Sequence, residues 1–390
     1  MIITLALVVL MVLFYALNTN FLKRYNIVTM SQNLAPYALM ALGVTFVIAT
    51  GGIDLSIGTV CIASAALAGH MYTRGILPLW ATIPVMITIG GIFGLLNGVL
   101  VAKFKVPAFI ATLGTMLVSR GLSAIIVAVP NIFYPTGSWY NRIFSNYEGF
   151  PIGFIWVIAF TLICMYLMYK NKIGRYILSI GSNEEATRLS GINTEKYKLL
   201  AYVFSGIGAG IAAIFWSAAS PTVASATGNG MELDAIAGVY IGGTSSAGGI
   251  ASVAGSVIGS MILVVIRNGL NFFLAKLNLN VNATYVTFVL TGIIVVGAIL
   301  IDIIKGKNEA RVKPETAKKK LRREFTEKYE ALQKRLDDVL TDASLSDDIR
   351  SETAEGIRAD ILSEKTVYRD KLAELKAVKR DSRENAGEKS

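Results

Sequence analysis

Charge is distributed so unevenly along this chain that it cannot fold as one kind of object. Residues 1–304 carry 15 of the 37 Lys and Arg and 8 of the 27 Asp and Glu. The last 86 residues carry the other 22 (37 − 15) and 19 (27 − 8). The first part is apolar enough to dissolve in lipid, and the second is water-soluble. This places a transmembrane domain at 1–304 and a charged extension at 305–390. Crossing a hydrocarbon core of roughly 30 Å takes about 20 apolar residues. Runs that reach or approach this length begin at Ile2, Leu34, Leu55, Ile76, Ala108, Ile152, Leu199, Leu233, Ala251 and Tyr285. Lipid offers no partner to a backbone amide, so spanning segments are helices or a closed barrel. The runs do not alternate and are too long for barrel strands. The fold class expected is therefore all-α: a polytopic membrane protein of about ten helices, with a soluble helical C-terminal extension.

The first run lacks a basic leader and a small-residue cleavage site, so it reads as a retained helix and not a signal peptide. Basic residues near helix ends set orientation. With Lys103, Lys105, Lys170, Lys172, Arg175, Arg188, Lys196, Lys198 and the tail in the cytoplasm, only Lys23, Arg24, Arg74, Arg142 and Lys276 lie outside. An even helix count then puts both termini inside. Cys61 and Cys164 sit in apolar runs and read as small buried hydrophobes. His70 is the only histidine, so neither histidine catalysis nor a metal site is expected. Topology accounts for much of the basic excess, and no nucleic-acid partner follows from it.

Between two apolar runs lies the stretch from Tyr169 to Ala201, polar, charged and rich in helix formers. A plain turn between membrane helices needs only a few residues, whereas this loop has room for one or two short helices. Glu184 and Arg188 stand four apart, a spacing that supports a short helix. A folded loop on the aqueous face points to a docked soluble partner.

Two segments repeat in the same order. An acidic residue in a Gly-rich stretch, Asp54 or Asp234, precedes a glycine-studded helix with an Asn-Gly pair, at Asn97 or Asn268. An aromatic and threonine start follows, at Phe109 and Thr112 in the first copy and Tyr285 in the second. The copies lie about five helices apart, so the second is inverted in the membrane, as in many transporters whose path runs between the repeats. Asp54 and Asp234 have two readings: capping of a helix N-terminus, or contact with substrate or a gate. Asn97, Phe109, Thr112, Asn268 and Tyr285 are candidates to line a neutral passage, with helix packing as the alternative for each. The glycines from Gly242 to Gly249 read as a tight turn and not a phosphate cradle, since no Lys accompanies them. In the tail, Leu321, Phe325, Tyr329, Leu332, Leu336 and Leu340 make one amphipathic stripe. Ile357, Ile361, Tyr368, Leu372 and Leu375 make a second, which suggests a helical hairpin.

The motifs GGIDLSIG, NGVLVAKFKVPAFIATLGT, IGSNEEATRLSGINTEKYK, ELDAIAG, IGGTSSAGGIASVAGSVIG and NGLN together resemble the membrane permeases of monosaccharide ABC importers of the ribose and galactose type. The resemblance spans nearly all of 1–304. It implies a homodimer in the bacterial inner membrane, a cytoplasmic ABC ATPase and a periplasmic or lipid-anchored sugar-binding protein. It also implies that Asn183, Glu184, Ala186, Leu189, Ser190, Gly191 and Ile192 sit against the ATPase, with Arg188 among them. Residues 305–390 have no counterpart in the family. No phosphate-binding GxxxxGK[ST] is present, which fits an energy source on another subunit. No cofactor is expected. The function expected is passage of a monosaccharide to the cytoplasm; the alternative is an inverted-repeat secondary transporter of a small neutral solute. An intramembrane enzyme is disfavoured by the lack of a nucleophile and base set.

Overall fold

Helix α1 (Ile2–Leu17) leads into a short 3₁₀ turn and then α2 (Arg24–Ala49), whose second half is buried on all sides. The computed structural model describes residues 2–127, 132–220, 222–223, 228, 230–276, scattered positions from 286 to 300, 321–322, 324–342 and 346–387. Tyr285 lies outside the described residues. The chain divides into two compact units, 1–303 and 304–390.

In the first unit α3 (Ile57–Thr73), α4 (Thr82–Gly98), α5 (Ala108–Val127), the short α6 (Trp139–Phe144) and α7 (Ile152–Met165) follow. Next come α8 (Lys172–Ser182), α9 (Glu184–Leu189), α10 (Thr194–Ala219), α11 (Met231–Ile241) and α12 (Val253–Lys276). By length and composition, six helices among the described residues can cross a membrane: Arg24–Ala49, Leu79–Lys103, Ala108–Val127, Ile152–Lys170, Thr194–Ala219 and Val253–Leu274. Ile3–Leu17 and Ile57–Thr73 are apolar but shorter. The molecule is an all-α polytopic membrane protein.

The run expected from Leu233 forms only the 11 residues of α11. At 1.5 Å per residue that is about 16 Å, half a bilayer core. The chain then enters the Gly-, Ser- and Thr-rich stretch 242–249, where Gly243, at φ +88°, turns it out of the helix. The run expected from Leu55 likewise starts late, at Ile57, after a non-helical passage through Gly51–Ser56.

At the centre, α10 packs between α2 and α4. The α4 seam runs through Gly90 and Gly94, which face Gly206 and Gly210 of α10. Lipid provides no hydrophobic drive between helices, so close backbone approach through small residues supplies the dispersion contacts instead. A Cβ on Gly94 would meet the backbone carbonyl of Tyr202. Aromatic side chains close the opposite end. Tyr134 donates to the Ala65 carbonyl at 2.6 Å, and the Tyr140 hydroxyl is 2.7 Å from that of Ser217. There the only β-ladder among the described residues pairs Ile132 with Val223 and Phe133 with Thr222, antiparallel.

The second unit contains α13 (324–341) and α14 (Asp347–Gly387), an antiparallel pair. Phe325 stacks on Tyr368 at 4.4 Å between centroids, and Lys328 pairs with Glu364 at 2.6 Å. On α13 Val339 faces the seam and Leu340 is exposed, a correction to the stripe. A step of three from Leu336 keeps the row over the partner helix, and a step of four overshoots it.

Candidate functional site

The first acidic candidate is built into a polar knot where four helices meet. Asp54 is buried. Its Oδ1 accepts from the Ser56 backbone N–H at 3.0 Å and from the Ser56 hydroxyl at 2.6 Å, and its Oδ2 accepts from Ser205 of α10 at 2.7 Å. Asp54 thus organises the entry to α3, where Ser56 is the N-cap. Asn97 of α4 donates to the Ser56 hydroxyl at 2.9 Å and accepts from Thr115 of α5 at 2.6 Å. Ser119 of α5 donates to Thr59 of α3 at 2.7 Å. The structure therefore brings Asp54 and Asn97 together through Ser56. It leaves Thr112 apart, buried and donating to the Ala108 carbonyl at 2.8 Å, and leaves Phe109 exposed on the outer face of α5.

The second acidic candidate sits in an ion pair. Arg267 of α12 donates from Nη2 to Asp234 at 2.6 Å and from Nη1 to the Tyr37 hydroxyl of α2 at 2.8 Å. The next residue, Asn268, forms a reciprocal amide pair with Asn26 of α2, at 2.9 and 3.0 Å. Asn26 also donates to the Phe21 carbonyl at 2.6 Å. Here the acid is linked to the Asn-Gly pair through Arg267, the residue before Asn268, and is balanced by a cation.

The polar loop folds as two short helices. Asn171 accepts from the Ile173 N–H at 3.0 Å and caps α8, which buries Gly174, Ile177 and Ile180 and leaves its other face polar. Asn183 accepts from the Ala186 N–H at 2.9 Å and caps α9; Asn193 accepts from the Lys196 N–H at 2.9 Å and caps α10. The expected Glu184–Arg188 pair does not form. Arg188 turns to Glu185, at 2.7 and 3.0 Å, because three residues on a helix bring side chains as close as four. That contact raises the Arg188 pKa further above its usual range. Glu184 is thereby free to bond Lys198 of α10. Leu189 is 79% exposed, an apolar side chain held out into water. Beside it runs a groove of about 410 Å³ between α8 and α9, lined by Ser179, Ser182, Asn183, Ala186, Ser190 and Ile192. Gly191 follows in the left-handed region, at φ +81°.

This loop is wired into the membrane helices at their nearby ends. The Gly249 N–H donates to the Ala49 carbonyl at 3.0 Å, and a Cβ on Gly181 of α8 would collide with both. The end of α2, the α11–α12 turn and the end of α8 therefore touch backbone to backbone. The glycine-rich stretch is indeed a turn: its bonds include Ser245 N–H to the Ile250 carbonyl and Ser252 N–H to Thr244 Oγ1. Lys105, between α4 and α5, pairs with Glu195 at 3.1 Å.

A sequence profile described as branched-chain amino acid transport system / permease component matches residues 26–299. The chain belongs to this permease family. The permease is 36% identical over 309 residues to the ribose import permease of Escherichia coli strain K12, covering 76% of this chain and 91% of that one. It is 34% identical over 274 residues to a fructose import permease of Bifidobacterium longum, covering 69% and 76%. To the D-allose transport system permease of Escherichia coli strain K12 it is 30% identical over 287 residues, covering 74% and 86%. No solved structure matches it. The permease's matched segment ends before the charged extension.

Sequence reasoning did not single out Ser56, Ser205, Thr115 or Arg267, although each completes a contact of a residue that it did, nor Tyr37, which bonds Arg267; it placed Lys198 only among the cytoplasmic basic residues. Serine and threonine in apolar helices are too common to stand out. Arg267 carried a signal, being a lone cation inside an apolar run.

Proposed function

We propose that this chain is the membrane permease of an ATP-driven monosaccharide importer, handing sugar from an extracytoplasmic binding protein to the cytoplasm. Family membership and the printed activities of the ribose, fructose and allose relatives support import of a monosaccharide. One structural observation carries the mechanism: an exposed, doubly capped helical hairpin lies in backbone contact with the ends of α2 and the α11–α12 turn. A cytoplasmic ABC ATPase docks on α9, with Leu189 as its apolar anchor and the groove from Asn183 to Ile192 as its seat. When the ATPase dimer closes, α8 is displaced, and the junction at Gly181 and Gly249 leaves no slack to absorb the movement. α2 and α11 then shift against the fixed α4–α10 seam. ATP is hydrolysed on the partner and not on this chain.

In the same reading about ten helices form two inverted five-helix repeats, and α3 and α11 are their interrupted helices. The permease is a homodimer in the bacterial inner membrane with both termini in the cytoplasm. The Asp54–Ser56–Asn97 knot and the Asp234–Arg267–Tyr37 set hold the moving helices in register beside the passage. Phe109, Thr112, Asn268 and Tyr285 remain candidates for its lining. The described helices of the second unit form a hairpin, and residues 305–390 are not needed for insertion. The test is co-reconstitution with the ATPase and binding protein. Uptake should require ATP, and Glu184→Arg or Gly191→Pro should abolish it while ATP hydrolysis and insertion persist. ATP-independent uptake, or normal transport by both variants, would sink the proposal.

A further inference from the structure

Among the described residues three buried side-chain polar atoms have no hydrogen-bond partner: Ser64 Oγ, Arg120 Nε and Glu232 Oε2. The last two belong to one pair. Arg120 Nη2 stands 3.9 Å from Glu232 Oε1, too far for a hydrogen bond. This contrasts with the other acids of the membrane unit. Both oxygens of Asp54 are engaged inside the protein, and Asp234 is closed by Arg267 at 2.6 Å. Glu232 lies in the first turn of α11, with its side chain 8% exposed, over the first turn of α3. The approach is tight enough that a Cβ on Gly58 would fall 2.5 Å from Glu232 Oε2. Arg120 stands on α5 beside Ser119, the residue that ties α5 to Thr59 of α3. Its side chain is 38% exposed, but Nε and Glu232 Oε2 are themselves shut off from solvent, so a ligand reaches them only when α3, α5 and α11 move apart.

Depth follows from the helix. Glu232 is nine residues from the end of α11 at Ile241, hence about 14 Å along the axis. That end adjoins the glycine turn beside the folded loop. The pair therefore lies well inside the membrane unit, where the open Glu232 Oε2 and Arg120 Nε are costly, although the Glu232 carboxylate also accepts from the backbone N–H groups of Gly230 and of Glu232 itself. An oxygen seated between the two can donate to Glu232 Oε2 while a neighbouring oxygen accepts from Arg120. Adjacent hydroxyls of a neutral polyol supply this combination. The pair carries no net charge, so a neutral solute is held by hydrogen bonds to its dipole alone, whereas an anion faces Glu232 and a cation faces Arg120.

We propose that Arg120 and Glu232 form a transient subsite on the translocation path that binds neighbouring hydroxyls of a neutral sugar. The inference rests on the transport reading above and adds the group the permease itself recognises. The test uses the full chain with its ATPase and binding protein in liposomes. It compares D-ribose, D-allose and D-fructose with their monodeoxy analogues at saturating binding protein. The wild type should prefer one parent sugar over an analogue lacking a hydroxyl. Glu232→Gln and Arg120→Gln should each cut uptake of that sugar about tenfold and lose the preference, with ATP hydrolysis retained. Arg120→Gln should also lower the melting temperature, because it leaves Glu232 buried without its cation, and Glu232→Gln therefore carries the comparison. Glu232→Cys should react with a small charged thiol reagent added to the assembled complex. Variants that transport slowly but keep the wild-type preference would show a merely structural pair and overturn the subsite, as would full protection of Cys at 232. Absence of ATP-driven uptake by the wild type would instead overturn the transport reading.

Discussion

Replacing Arg267 by methionine should be among the most damaging single changes in the membrane unit, because it strands Asp234. The Asp234 side chain is 8% exposed, and Arg267 supplies the only ion pair that the described residues give it. Removing one partner of a buried pair typically costs 3–5 kcal/mol, since the remaining charge keeps its desolvation penalty. The Arg267 side chain is 32% exposed, so the lower end applies, about 3 kcal/mol. Methionine keeps the stem volume but drops the bond to Tyr37 as well. Asp234→Asn is milder: the amide still accepts from the guanidinium, and only the charge assistance goes, worth roughly 1.5 kcal/mol. The double variant leaves no charge behind, so its loss should fall short of the sum of the two by about 1.5 kcal/mol. The assay is a double-mutant cycle on unfolding free energy of the detergent-purified chain. Ordinary hydrogen bonds between membrane helices average about 0.6 kcal/mol. A coupling at or below that figure would show that water or lipid reaches Asp234, and the argument for a closed pair would fail.

Other changes probe packing, coupling and domain structure. Gly94→Ala should destabilise the α4–α10 seam or block expression, because the methyl group meets the Tyr202 carbonyl; Gly91→Ala, whose Cβ would meet only Ile207 at 3.6 Å, should be tolerated in the same melting assay. Asn183→Ala removes the α9 cap and should cost about 1 kcal/mol locally, read as faster amide hydrogen exchange over 184–189 and weaker ATPase binding; unchanged exchange would mean the cap is idle. Truncation after Lys307 should leave an inserted, folded permease with at most an altered transport rate, and loss of insertion would place the tail within the membrane fold. Cysteines at Phe109 and Asn268 should react with an aqueous thiol reagent in one nucleotide state, and protection in both states would remove them from the passage.

The membrane nature of the apolar helices was legible in the sequence because the bilayer imposes a length and a polarity on each segment. The two short helices of the 169–201 loop were legible as well, because the stretch is rich in helix formers and too long for a plain turn; Asn171 and Asn183 cap them. The turn at 242–249 was legible too, but the length of the run from Leu233 predicts a full span, and the turn leaves α11 only 11 residues. Local rules reached no further. The partner of Glu184 was misread, since spacing along one helix cannot reveal that Lys198 of the next helix lies nearer than Arg188. The difference between Asp54, Asp234 and Glu232 was wholly tertiary. All three are acids at the start of apolar segments. Ser205, Arg267 and Arg120 reach them from 151, 33 and 112 residues away in the chain, and their distances decide which acid is satisfied and which is left open. Composition fixes the solvent a segment can occupy and capping fixes where its helices start. The pairing of charges across helices depends on a three-dimensional approach that the one-dimensional pattern does not encode.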